Sequence, residues 1–203
     1  MSLIKFKFFE VLSTVTPVYD AALTVGDKIT DVFAKLQGLL SWRNLRAVVD
    51  STATGAVNTT ADYDMLTLSI PANTLRVGDI IEIDIFSLVK KGTGAMNSLY
   101  WLKVNGTKSA NMTYALGNAA LDSVGFTFRA KLQVRSISGG SATLAYLAEN
   151  WRSANAPIVV GSNVVPMFTV PSNAVITVTA GANFSVANAA NSIRPVSGGI
   201  KLW

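Results

Sequence analysis

Neither cysteine nor histidine occurs anywhere in the 203 residues. The first absence removes disulfides, thiolate metal sites and cysteine nucleophiles, and it favours assembly in a reducing cytoplasm. The second removes the commonest general base and the commonest metal ligand. Both argue against an enzyme, so no catalytic, metal-binding or cofactor-binding residue is expected. The N-terminus, Met1 to Glu10, is interrupted by Lys5, Lys7 and Glu10 and lacks the apolar core of a signal peptide. No apolar run is long enough to cross a bilayer. Acids are scarce and unevenly placed. From Lys90 onward they are only Asp122 and Glu149, against Lys90, Lys91, Lys103, Lys108, Arg129, Lys131, Arg135, Arg152, Arg194 and Lys201. The formal net charge is +5. A basic surface attracts phosphate, anionic polysaccharide or membrane. Scattered solvated charge is the plainer reading, because only Lys90 and Lys91 are adjacent.

What is present is alternation. Leu66, Leu68 and Ile70 alternate with Thr67 and Ser69; after Pro71 to Asp79, Ile81, Ile83 and Ile85 alternate with Glu82 and Asp84. Period two sets one group of side chains on each face of a strand. Pro71 ends the first run because it has no amide proton for a ladder. The pair reads as an opening hairpin. Leu45 to Asp50 reads as the strand before it. Leu99 to Val104 meets Asn105-Gly106, a strong hairpin signal, with a return strand at Asn111 to Leu116. Ser123 to Arg135 is the cleanest strand. It is long enough to belong in the middle of a sheet, with Val124, Phe126, Phe128, Ala130, Leu132 and Val134 on one face. Arg129, Lys131 and Arg135 share the other face, as a basic stripe or facing an acidic neighbour in an oligomer. Ala142 to Leu147, Val164 to Val170, Ala174 to Thr179 and Ser192 to Trp203 complete the set, with 149–163 as a polar loop. Short strands between turn signals predict an antiparallel β-sandwich or barrel over 45–203.

Residues 1–44 read differently. Ile4, Phe6 and Phe8 alternate with Lys5 and Lys7, and Phe9 follows, so the segment reads as an attachment arm or as a frayed terminus. Over 25–43, Ile29, Val32, Leu36 and Leu39 recur at spacings of three and four, which predicts a short amphipathic helix. That helix is either a three-helix oligomerisation neck or a helix packed on its own subunit. It is too short for a free-standing coiled coil.

Three stretches carry a resemblance: Val48-Val49-Asp50-Ser51-Thr52, Leu66 to Leu75 with its Ile-Pro-Ala-Asn-Thr-Leu step, and Gly78-Asp79-Ile80-Ile81. Together with the long alternating strand and the Gly139-Gly140 turn, they resemble the jelly-roll domains of tailed-bacteriophage fibre and head-fibre proteins. The resemblance spans roughly 45–203. It implies a homotrimeric virion surface protein, assembled in the host cytoplasm and joined to capsid, portal or tail proteins by its N-terminal segment. It also implies contact with a host surface glycan or a purely decorative role. No nucleic-acid partner and no membrane insertion are expected. A carbohydrate-binding module and a capsid decoration (cement) protein are the alternatives.

The paired carboxylates Glu82 and Asp84, and Asp62 and Asp64 around Tyr63, are candidates for glycoside hydrolysis or calcium binding. Glycosidase carboxylates face one another across a cleft, which positions i and i+2 of one strand do not. A solvated face is the better reading. Trp151, beside Arg152 in the polar loop, is the candidate ligand-facing aromatic. Trp101, among apolar neighbours, is read as core or interface.

Overall fold

The computed structural model describes residues 32–33, 36, 45–50, 55–57, 60–109, 112–152 and 165–203. Twelve strands follow in order: β1 Arg46–Val48, β2 Ala56–Val57, β3 Tyr63–Ile70, β4 Ile80–Lys91, β5 Asn97–Val104, β6 Thr107–Lys108, β7 Met112–Ala115, β8 Leu121–Ser138, β9 Ser141–Arg152, β10 Val165–Pro171, β11 Ile176–Phe184 and β12 Ser192–Leu202. They form two antiparallel sheets. The larger runs β1-β12-β4-β8-β9-β10, with β2 also on β12; the smaller runs β3-β11-β5-β6, with β7 also on β5. Of the four-residue stripe expected to be helical, only Val32 and Leu36 are described, both in helical conformation. Ile29 and Leu39, and the arm residues Ile4, Phe6, Phe8 and Phe9, lie outside the described residues.

The inward faces of both sheets meet in one apolar cluster. Ile81, Ile83, Ile85, Phe126, Phe128 and Leu132 come from the larger sheet; Ile70, Leu102, Val178 and Phe184 come from the smaller. Tyr100 of β5 spans the interior. Its ring stacks on Phe128 of β8 with centroids 5.7 Å apart, and its hydroxyl lies 2.9 Å from Ser87 Oγ of β4. Burial raises the Tyr100 pKa well above its ordinary value, and the Ser87 hydrogen bond only partly opposes this. β8 lies between β4 and β9, as its length and alternation predict. Asn105 and Gly106 both take positive φ, and they turn β5 into β6 with Val104 opposite Thr107.

Several expectations are corrected. β3 and β4 are not a hairpin. β3 pairs with β11 in the smaller sheet and β4 with β12 and β8 in the larger. Residues 71–79 carry the chain from one layer to the other. Both runs alternate correctly because they face the same interior from opposite sides. The first strand shortens to Arg46–Val48. β9 continues to Arg152, so Trp151 and Arg152 stand on a strand, opposite Thr127 and Phe126, rather than in a polar loop. β11 continues through Ala180-Gly181-Ala182-Asn183 to Phe184. Ala180 to Asn183 are poor strand formers, but β5 pairs with all four and β3 with Ala180, Gly181 and Ala182, and context overrides propensity.

The connections segregate to two ends. Asn73 N donates to Ser172 O, Ser172 N to Gly140 O and Asn105 N to Thr177 O, which gathers 71–79, 105–106, 139–140 and 172–175 at one end. Leu202 N donates to Leu45 O, and Trp203 exchanges hydrogen bonds with Ile80, so 45 and 203 lie at that end too. At the other end Gly94 N donates to Asn118 O, Ser185 N to Asn97 O and Gly92 N to Asn191 Oδ1, which joins 92–96, 116–120 and 185–191. Lys91, 1% exposed, closes this end by donating to Gly92 O at 2.8 Å and Gly94 O at 2.9 Å.

Candidate functional site

On the outer face of the larger sheet, antiparallel register sets charged side chains side by side. One row reads Arg46, Lys201, Glu82, Lys131 across β1, β12, β4 and β8. The next reads Val48, Gly199, Asp84, Arg129, with Glu149 opposite Arg129 on β9. Lys131 Nζ lies 3.3 Å from Glu82 Oε1, and Arg129 Nε lies 3.1 Å from Asp84 Oδ2. Glu82 also accepts from Trp203 Nε1 at 3.0 Å. The carboxylates and the basic stripe singled out in the sequence are therefore partners within one chain. Arg135 stands apart from the ladder and donates to Gln133 Oε1 at 2.6 Å.

Among the described residues, Arg46 and Lys201, the remaining members of the first row, form no ion pair. Arg46 and Lys201 are directly opposite each other, and like charges so placed repel. They rim a depression of about 400 Å³ whose wall includes Val48, Glu82 and Asp84. Its floor is the bare backbone of Gly198 and Gly199. Gly198 has φ +113°, and a Cβ on Gly199 would sit 2.5 Å from the Ala47 carbonyl oxygen. Neither position accommodates a side chain without strain, so the floor stays open. Trp203, 57% exposed, lies beside it with Lys201 Nζ 5.3 Å from the ring centroid.

A second charged group lies on the outer face of the smaller sheet. Lys103 Nζ sits 3.3 Å from Asp62 Oδ2 and 3.2 Å from Asp64 Oδ1, and Lys108 Nζ sits 2.6 Å from Asp62 Oδ1. Both ammonium groups lie over the Trp101 ring, at 4.3 and 4.8 Å. Trp101 is fully buried, yet it projects away from the interior and covers Gly181. Burial pushes the Asp62 carboxyl upward, but hydrogen bonds and charge from Lys108 and Lys103 outweigh it and hold the pKa below the usual value. Burial likewise pushes Lys103 down, and Asp64 and Asp62 outweigh it, so its pKa is raised. The Asp62–Asp64 pair is thus an ion-pair network capping an indole. Among the described residues no group of three or more His, Cys, Asp or Glu is placed to hold a metal. Also among them, no helix is long and apolar enough to cross a membrane.

The sequence singled out Trp151 and Arg152. The structure places their backbone on β9, opposite Thr127 and Phe126 of β8. The grouping of Arg46, Lys201 and Trp203 was missed. Lys201 and Trp203 share a face by simple alternation, but nothing local shows that β1 lies beside them. No protein-family model, curated protein or solved structure matches the chain.

Proposed function

We propose that the chain is a structural protein of a bacteriophage particle: a homotrimeric head- or tail-fibre component whose 45–203 unit is a jelly roll anchored through 1–44. The observation that carries this reading is the strand order. Four strands run β1-β12-β4-β8 and the facing four run β3-β11-β5-β7. The first strand lies beside the last, as wrapping two Greek keys into two layers demands. β9 and β10 then widen one layer at the β8 edge. Of the residues that carry the resemblance to fibre proteins, Pro71 to Leu75 and Gly78-Asp79 lie in the step between layers. Polarity also supports the reading. Residue 45 lies at one end, so a domain anchored by the preceding segment presents 92–96, 116–120 and 185–191 outward. Trimers repeated over a particle let weak contacts with a host glycan add up.

Light scattering tests the trimer directly. A mass three times 21.5 kDa is expected, and a stable monomer counts against it. Immunogold labelling of intact particles places the chain at head or tail, or shows it is no part of the virion. A capsid decoration protein of the same fold would appear in that experiment as an even coat. The depression beside Trp203 favours one other reading, a carbohydrate-binding module. That reading requires a monomer that binds glycans on an array.

A further inference from the structure

We propose that the depression over Gly198 and Gly199 is a binding site for an anionic saccharide, its carboxylate or phosphate held between Arg46 and Lys201 and its ring packed on Trp203. Three observations converge there. The first is shape: about 400 Å³ falls within the range of small-ligand sites, roughly 300–1,000 Å³. The glycine floor lets a ligand reach backbone. The second is charge. Glu82 and Asp84 are engaged by Lys131 and Arg129, while Arg46 and Lys201 face each other without an ion-pair partner among the described residues. An anion between them converts a like-charge repulsion into two charge-assisted contacts, and the Arg46 fork suits a planar carboxylate or a phosphate. The third is the exposed indole. Its N–H is tied to Glu82 Oε2 at 3.0 Å, which fixes the ring plane before any ligand arrives. An aromatic face held in this way offers an apolar surface to the C–H groups of a sugar.

The site lies toward the end that holds residues 45 and 203, away from 92–96, 116–120 and 185–191, so it is a saccharide contact separate from that outward surface; it rests on the virion reading only for its biological source. The binding chemistry stands on the geometry alone. Calorimetry and tryptophan fluorescence on the full chain, with uronic-acid oligosaccharides, glycerol-phosphate oligomers and neutral oligosaccharides of equal length, give the test. Millimolar or tighter binding of one or both anionic probes is expected, falling as salt rises, with no response to the neutral probe. The two anionic arms show which group the site prefers. Arg46→Gln and Lys201→Gln should each weaken binding about tenfold. Lys90→Gln, at the far end of the sheet, should leave it unchanged. Trp203→Phe should abolish the fluorescence response. All four variants should keep the parent thermal midpoint, since each lies on the surface. Equal binding of neutral and anionic probes, no binding of either anion, or binding untouched by Arg46→Gln and Lys201→Gln would each overturn the proposal. A trimer found on virions that binds no anion sinks this site alone. A chain absent from virions that binds one sinks the virion reading and leaves the site intact.

Discussion

Gly181 stands opposite Trp101 where β11 pairs with β5, and the indole lies flat over its backbone. A methyl group at 181 would fall inside the ring, and the ring is held by Lys103 and Lys108 from above. Gly181→Ala is therefore expected to destabilise the protein by about 3 kcal/mol, read as a lowered urea midpoint. The cap over Trp101 also sets a pH dependence. The Asp62 pKa is depressed, so its contribution is present above the unfolded value of about 3.9 and is lost as pH falls through the folded one. Lys103 is raised, so its contribution is present below about 10.4 and is lost as pH climbs through its folded value. Asp62→Asn should therefore lower the urea midpoint at pH 7 and make no difference near pH 2. A gap that persists at pH 2 would mean that the asparagine disturbs packing instead. At the closed end, Lys91→Ala leaves the carbonyls of Gly92 and Gly94 without their donor. A cost of about 2 kcal/mol is expected, with faster amide exchange over 92–96.

Among the elements, β4 and β8 show how much of the fold was legible. Each reveals its own two faces through alternation, and β8 reveals its central position through length. What neither reveals is register. Only pairing Asp84 with Arg129 and Glu82 with Lys131 turns two separate charge patterns into one ladder. The same limit hid the depression, because Arg46 and Lys201 are neighbours only through the β1–β12 pairing. β11 was legible only as far as Thr179, since Ala180 to Asn183 carries no strand signal of its own. The Pro71 to Asp79 turn was recognised but read as closing a hairpin; a turn signal states that the chain bends, not which layer it enters. The ladder itself is modest. Arg129 and Asp84 are each about half exposed, 54% and 51% for their side chains. A double-mutant cycle on the pair should give about 0.5 kcal/mol, shrinking in high salt.

For the molecule as a whole, β12 is the element that joins the parts. It lies between β1 and β4 and also meets β2. Deleting Ser192–Leu202 removes Ile193, Ile200 and Leu202 from the core and bares the edge of β4 along ten paired positions. The truncated chain is expected to lose its strand signal in circular dichroism and to aggregate through that edge. A soluble, folded truncation would contradict the pairing described here. β12 also has a bearing on biosynthesis. A ribosome delivers residues in order, yet the larger sheet cannot zip until the piece made after all its other strands slides into the gap between two made far earlier. A nascent chain must hold an unfilled slot until β12 has left the ribosome, so anything that shields nascent β-edges should raise the yield.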